Sequence, residues 1–231
     1  MAKVKTLMMN MLPRRARSLA PVSRVFGFDR GRPIDRYYIE SFLDAHRGDV
    51  RGRVLEIGDA TYTHRFGGGR VSTADVLHAR PDNPLATIVG DLETGVGVPR
   101  EAFDCIVLTQ TLPFIFDTHA AVRHTHAALR PGGVVLATMG GISQISRFDM
   151  DRWGDFWRFT TLSARRLFEL AFGPRCVEVQ SHGNVLAATA FLQGRATQEL
   201  RPGELDHHDP DYELLITVRA RKPVEGVSHA A

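Results

Sequence analysis

Seven short apolar runs, most of them separated by helical patterns, leave this chain few ways to fold. They are Arg53 to Ile57, Arg70 to Ala74, Ala86 to Val89, Phe103 to Thr109, Val134 to Thr138, Arg175 to Ser181 and Tyr212 to Ala220. Each has strand length and is bounded by turn residues. Between the later runs lie helical patterns over Thr118 to Leu129 and Thr161 to Phe172, where a Thr or Ser supplies an N-cap and Gly173 a stop. Such alternation predicts an α/β fold, a mostly parallel, doubly wound sheet of seven strands with helices on both faces. Ligands of such sheets bind at the carboxyl ends of the strands.

The chain has 231 residues, 43% of them hydrophobic and 24% charged, enough for one sizeable core. No apolar run approaches the roughly 18 residues of a membrane span, and Met1 to Leu12 is too interrupted for a secretory segment. The expectation is a soluble, cytoplasmic protein without stable membrane insertion. Cys105 and Cys176 each sit in an apolar run and read as small buried residues rather than as a disulfide. Basic residues crowd the first fifty positions, from Lys3 and Lys5 to Arg32 and Arg36. A solvated tail explains them better than a nucleic-acid partner. The division expected is a flexible basic start over 1–25, one domain over 26–222 and a tail over 223–231. Pro33 stands where a helix can begin, with Ile34, Tyr37, Tyr38 and Phe42 at helical spacing after it.

The chemistry-bearing residues fall at strand ends. Val54-Leu55-Glu56-Ile57-Gly58-Asp59 is a buried strand running into an acid and a glycine, where the backbone turns tightly and can approach a ligand. The second run ends at Ala74-Asp75-Val76, placing a carboxylate where a ribose diol can donate two hydrogen bonds. The third ends at Gly90-Asp91-Leu92, an acid for an adenine amino group beside an apolar side chain for its face. The fourth ends at Thr109-Gln110-Thr111, and Leu129-Arg130-Pro131-Gly132-Gly133 introduces the fifth. A dinucleotide site is disfavoured because no G-x-G-x-x-G follows the first strand.

This set of features in this order resembles the class I methyltransferases, over roughly Pro33 to Arg221. The resemblance implies a Rossmann-like fold and S-adenosylmethionine as cofactor. Gly58 would approach its methionine part with Asp59 beside it, and Asp75 with Val76 would hold the ribose. Asp91 and Leu92 would hold the adenine, and Gln110 with Thr111 would lie beside the sulfonium. Glu56 would organise the loop from behind. One departure stands out: only 12 residues separate Gly58 from Val71, too few for the usual loop and a full crossover helix, so a shortened or absent first helix is expected.

The stretch Gly140 to Thr160 leaves the active edge after the fifth strand. It combines Asp149, Asp151 and Asp155 with three Arg and with Trp153 and Trp157. Flat aromatic faces and planar polar groups suit a sugar or oligosaccharide acceptor, although two Trp four residues apart can equally staple the loop to the core. Leu205 to Tyr212 carries His207 and His208 among Asp206, Asp209 and Asp211, and His208 is the expected general base. Asp149 is the second catalytic candidate, and Asp149 with Asp151 are candidate ligands for Mg2+. Arg36, Tyr37 and Tyr38 suggest a lid. The helical pattern Val185 to Leu200 offers a homodimer face or a core helix.

Three segments, GRPIDRYYIESFL, DRWGDFWRFTTLSARRLFELAFG and HGNVLAATAFLQG, resemble a branch of bacterial glycan O-methyltransferases, including those linked to polymethylated polysaccharides of actinobacteria. The activity implied is O-methylation of a sugar hydroxyl. The alternatives are a phenol or lipid acceptor, or a cofactor-binding scaffold of a glycan assembly complex.

Overall fold

A computed structural model describes residues 18–224 of the chain. The basic start before residue 18 and the tail after 224 lie outside them. The described part of the start, 18–25, packs against the chain: the Val22 and Ser23 amides donate to the Gln193 carbonyl at 2.8 and 3.3 Å.

The seven strands are β1 (Gly52–Ile57), β2 (Val71–His78), β3 (Ile88–Val89), β4 (Phe103–Thr109), β5 (Leu129–Gly140), β6 (Val177–His182) and β7 (Leu215–Arg221). They form one sheet in the order β3-β2-β1-β4-β5-β7-β6. Pairing is parallel from β3 to β5, while β7 runs antiparallel to both β5 and β6. This is the expected architecture, with β7 starting at the active edge, where Leu215 pairs Gly140.

Both faces of the central strands are covered, which is why β4 and the second half of β5 read as nearly unbroken apolar runs rather than alternating ones. Leu55, Ile106, Leu108, Val135 and Ala137 enter one apolar cluster, and their neighbours Val54, Cys105, Val107, Val134 and Leu136 enter the other. Helices α1 (Ile34–Ala45), α2 (Thr118–Ala128), α3 (Arg147–Met150), α4 (Thr161–Phe172), α5 (Val185–Leu192) and α6 (Pro202–Asp206) complete the fold. Thr160 caps α4 through Ser163, as the sequence suggests, but the cap of α2 is Asp117, whose carboxylate accepts from the Ala120 amide. Helix α5 stops at Leu192 rather than Leu200, because the chain turns at Gly194, with φ +74°.

The first crossover is short. After a single α-type turn at Thr61 and Tyr62 come a π-helical turn, Thr63–Gly67, and a 3₁₀ turn, Gly68–Arg70, which leads directly into β2. β2 then runs three residues beyond Asp75, to His78, and this extension governs the cofactor side of the site.

Candidate active site

At the carboxyl edge of β1, β4 and β5 the chain encloses a cavity of about 650 Å³, in the range of small-molecule sites. Its floor is Glu56 and Ile57 at the end of β1 with Asp59 just beyond, Thr109 at the end of β4 with Gln110 after it, and Gly140 at the end of β5. Tyr62 and Arg65 of the short crossover, Asp35, Arg36 and Glu40 of α1, and Ser146, Asp149, Asp155 and Arg158 of the β5–α4 segment form the walls.

Three backbone features shape the floor. Gly58 has φ +84° with open space where a Cβ would point, so the main chain is bare at the end of β1. Gln110 holds φ +49°, a left-handed conformation that a residue with a Cβ adopts at a cost, and its amide is anchored on the Thr138 carbonyl at 2.8 Å. At Gly141 a Cβ would fall 2.1 Å from the Glu213 carbonyl oxygen, so the β5–α4 segment leaves the sheet pressed against the residues before β7.

Glu56 is 3% exposed, and its two carboxylate oxygens accept from the amides of Tyr62 at 3.2 Å and Thr63 at 2.7 Å. Burial pushes its pKa up to about 7, against the opposing pull of those amides. It therefore sits behind the crossover and fixes its first turn.

The walls carry six carboxyl groups, Asp35, Glu40, Glu56, Asp59, Asp149 and Asp155, against four guanidinium groups, Arg32, Arg36, Arg65 and Arg158. Glu40 is paired with Arg32 at 2.7 Å and Arg65 at 2.9 Å. Asp155 accepts from Arg158 at 2.5 and 3.0 Å and from the Ser146 amide at 2.9 Å; burial opposes its charge, but these bonds hold its pKa below the usual carboxylate range. Arg36 donates instead to the Tyr62 hydroxyl at 2.6 Å. Asp35 has no cationic hydrogen-bond partner among the described residues: its carboxylate accepts the Arg36 amide at 2.8 Å, and burial raises its pKa against the opposing charge of Arg36.

These observations suit a positively charged ligand group. Carboxylates without an arginine partner, Asp59 and Asp149, can attract a cation such as a sulfonium, and the bare Gly58 backbone leaves room beside them. The residues present thus fit the methionine half of S-adenosylmethionine, with Glu56, Asp59 and Gln110 nearest to hand on the cavity floor.

Several expected site residues lie elsewhere. Asp75 is 7% exposed and faces Leu55 in the middle of the sheet, where it binds Arg53 Nε at 2.7 Å and the Thr87 hydroxyl at 2.9 Å. The expectation that β2 ends at Asp75 is corrected by its three further residues, and Val76 is likewise interior. The Asp91 carboxylate accepts from the Glu93 amide at 2.7 Å and the Thr94 hydroxyl at 3.2 Å, which closes its own turn, and Leu92 is buried. Thr111 donates to the Thr109 carbonyl at 3.1 Å and does not line the cavity.

His208 is exposed at the far edge of the sheet, its Nε2 3.0 Å from the Ser181 hydroxyl, in a second, shallower depression with His182 and Arg165. The intervening β7 separates β6 from β5, so His208 is away from the cavity that holds Gly58's neighbours. Asp149 does line the cavity, its carboxylate accepting from the Ser146 hydroxyl at 2.5 Å, whereas Asp151 is exposed outside it. Among the described residues no three His, Cys, Asp or Glu side chains gather to hold a metal ion, so the Mg2+ expectation finds no support. Neither tryptophan lines the cavity, and both act as staples. Trp153 packs on Arg80 and His78, and Trp157 Nε1 donates to the Ile115 and Phe116 carbonyls at 3.1 and 3.2 Å. Of the expected lid, Arg36 lines the cavity, while Tyr37 and Tyr38 tie α1 to Asp206 and to the Leu205 carbonyl.

His182 is a structural histidine with a measurable consequence. It stacks on Tyr38 at 5.7 Å with its Nε2 3.1 Å from the Thr217 hydroxyl, and burial, with His208 adding, lowers its pKa from 6.5 to about 4. The unfolded chain therefore binds a proton between those values that the folded chain refuses. Its stabilisation is complete above pH 6.5 and is lost as pH falls toward 4. Denaturant titrations at pH 7 and pH 4.5 are expected to differ by about 2 kcal/mol more for the natural chain than for His182→Phe.

Residues 67–137 match the profile of the family described as a methyltransferase domain. A search of curated proteins finds no match. Among solved structures, the chain is similar to the N-methyltransferase NodS from Bradyrhizobium japonicum WM9 in complex with S-adenosyl-L-homocysteine. The TM-score is 0.52 and the identity 15%, over 87% of this chain and 94% of that one. A SAM-dependent methyltransferase from Archaeoglobus fulgidus gives 0.53 at 10% identity, over 81% and 94%. The [4+2]-cyclase SpnF gives 0.53 at 17%, over 96% and 95%. The fold is that of the class I methyltransferases, and the matched segment runs from the short crossover through most of β5.

Proposed function

We propose that the chain is an S-adenosylmethionine-dependent methyltransferase acting on a hydroxyl group of a sugar or oligosaccharide. The observation that carries this reading is the carboxylate-rich cavity above the bare Gly58 backbone, at the edge where this fold binds its ligands. When bound, the cofactor supplies an electrophilic methyl group on a sulfonium. Glu56 sets the crossover that contacts it, and the unpaired negative charge of the walls favours the cation.

The acceptor side supports a sugar. Phe28 and Tyr62 offer flat faces, and Arg36, Asp35 and Asp149 offer planar polar groups on the same cavity. A hydroxyl is a weak nucleophile until its proton is removed. Asp35 is the carboxylate chosen to take that proton: Glu40 and Asp155 are neutralised by arginines, Asp149 is held by Ser146, and Glu56 and Asp59 hold the crossover amides of Tyr62, Thr63 and Thr61. Asp35 would take the hydroxyl proton as the acceptor oxygen gains the methyl group that the bound cofactor would supply. Arg36, fixed by Tyr62, orients the sugar beside it, so the rate also gains from positioning.

The test is titration with S-adenosylhomocysteine, then turnover of labelled S-adenosylmethionine with saccharides, phenols and amines in parallel. Micromolar binding and saccharide methylation are expected. Turnover of amines or phenols alone would overturn the acceptor class, and binding without turnover on any acceptor would point to the scaffold alternative.

A further inference from the structure

The displacement of Asp75 from the cavity leaves open what meets the nucleoside of the cofactor on which the proposed function rests. The parallel register answers it. Ile57 pairs Leu77, so the residue level with Gly58 on the neighbouring strand is His78, while Asp75 pairs Leu55 three positions earlier. The Gly58 amide donates to the Leu77 carbonyl at 3.0 Å, which fixes this alignment past the end of β1. In sheets of this kind the side chain at the end of the second strand takes the ribose hydroxyls.

The surroundings of His78 fit that task. Its Nδ1 is engaged by the loop after β2, lying 2.8 Å from the Arg80 carbonyl oxygen, 3.3 Å from the Arg80 amide and 3.6 Å from the Asp82 carboxylate, which leaves Nε2 as the ring nitrogen open to a ligand. Nε2 has no hydrogen-bond partner among the described residues. The Trp153 ring meets the imidazole edge-on at 5.4 Å, and the Arg80 guanidinium lies 4.3 Å from the same indole. Arg80 also donates to the Arg152 carbonyl at 2.8 Å, so the β5–α4 segment is latched to the end of β2. Asn83, a few residues on, donates to the Gly58 carbonyl at 2.7 Å.

We infer that His78, not an acidic residue, holds the ribose of the bound nucleoside through Nε2, and that Trp153, braced by Arg80, roofs the same subsite. A single ring nitrogen replaces the two oxygens of a carboxylate, so one ribose hydroxyl is held rather than two.

Calorimetric titration of the full chain with S-adenosylhomocysteine tests this, comparing the natural protein with His78→Ala and Asp75→Asn, each checked for folding by its melting temperature. His78→Ala is expected to weaken binding about tenfold. Against one of the two ribose-deoxy analogues it should cost nothing further, because the hydroxyl it held is already gone. Asp75→Asn is expected to keep the affinity while lowering the melting temperature. In a Trp157→Phe chain with His78 intact, saturating ligand should change the Trp153 emission. Unchanged affinity in folded His78→Ala, or an unchanged Trp153 emission at saturation, overturns the inference alone. Absence of binding by the natural chain overturns the cofactor reading and this inference with it.

Discussion

Asp35→Asn is expected to lower kcat for a hydroxyl acceptor by about 10²- to 10⁴-fold, the usual contribution of a positioned base. Asn has the same shape and keeps an oxygen for the Arg36 amide, so α1 and the cavity wall should be retained. Affinity for S-adenosylhomocysteine should therefore be unchanged. The pH profile separates a base from a merely structural residue. Burial raises the Asp35 pKa, and the carboxylate must be ionised to accept a proton. Activity of the natural chain should then fall on the acid side at a pH above the ordinary aspartate range, and that limb should vanish in the variant. Asp35→Glu should recover part of the rate. A variant that keeps both its rate and its acid limb would show that the proton leaves by another route, for which Asp149 is the next carboxylate on the wall.

The second large effect concerns stability. Arg53 binds Asp75 at 2.7 Å with the carboxylate side chain only 10% exposed, and its guanidinium lies 5.1 Å from the centre of the fully buried Phe103 ring. Arg53→Ala strands that carboxylate with the Thr87 hydroxyl and the solvent edge as its remaining help, and strips the cover from Phe103. A loss of about 1–3 kcal/mol is expected, since removing Arg53, itself about a third exposed, leaves the nearly buried Asp75 carboxylate without its cation. Arg53→Ala combined with Asp75→Asn should recover part of it. If the single variant melts like the natural chain, the pair is not what anchors β2 to β1.

The fold was legible because its signals are local or periodic. The central strands grow from apolar runs, Asp59 to Arg70 is too short for a full crossover, and Gly173 ends its helix with a positive φ that side-chain-bearing residues avoid. The part of the site that follows β1 was legible for the same reason, since Glu56, Gly58 and Asp59 are contiguous with the strand that places them.

Residues whose role depends on pairing were misplaced. The sequence ends the second strand at Ala74-Asp75, but β2 runs on to His78, and whether Asp75 or His78 reaches the edge is decided by its register against β1. Each step along a strand moves a side chain by about 3.3 Å and turns it to the other face. His207 and His208 looked catalytic because β7 starts at the active edge, yet the insertion of β7 between β5 and β6 carries His208 to the margin of the sheet. Asp35 lies in the segment GRPIDRYYIESFL but has no signal of its own there, and only the packing of α1 across the strand ends makes it a wall of the cavity.

The sequence by itself determined which segments become strands and helices, and that ligand chemistry gathers after β1, because those depend on neighbours along the chain. The tertiary structure alone decided which of the many acids and histidines face the cavity. That choice is set by strand register, by the place of β7 in the sheet and by where arginines neutralise carboxylates, all contacts between residues far apart in the chain.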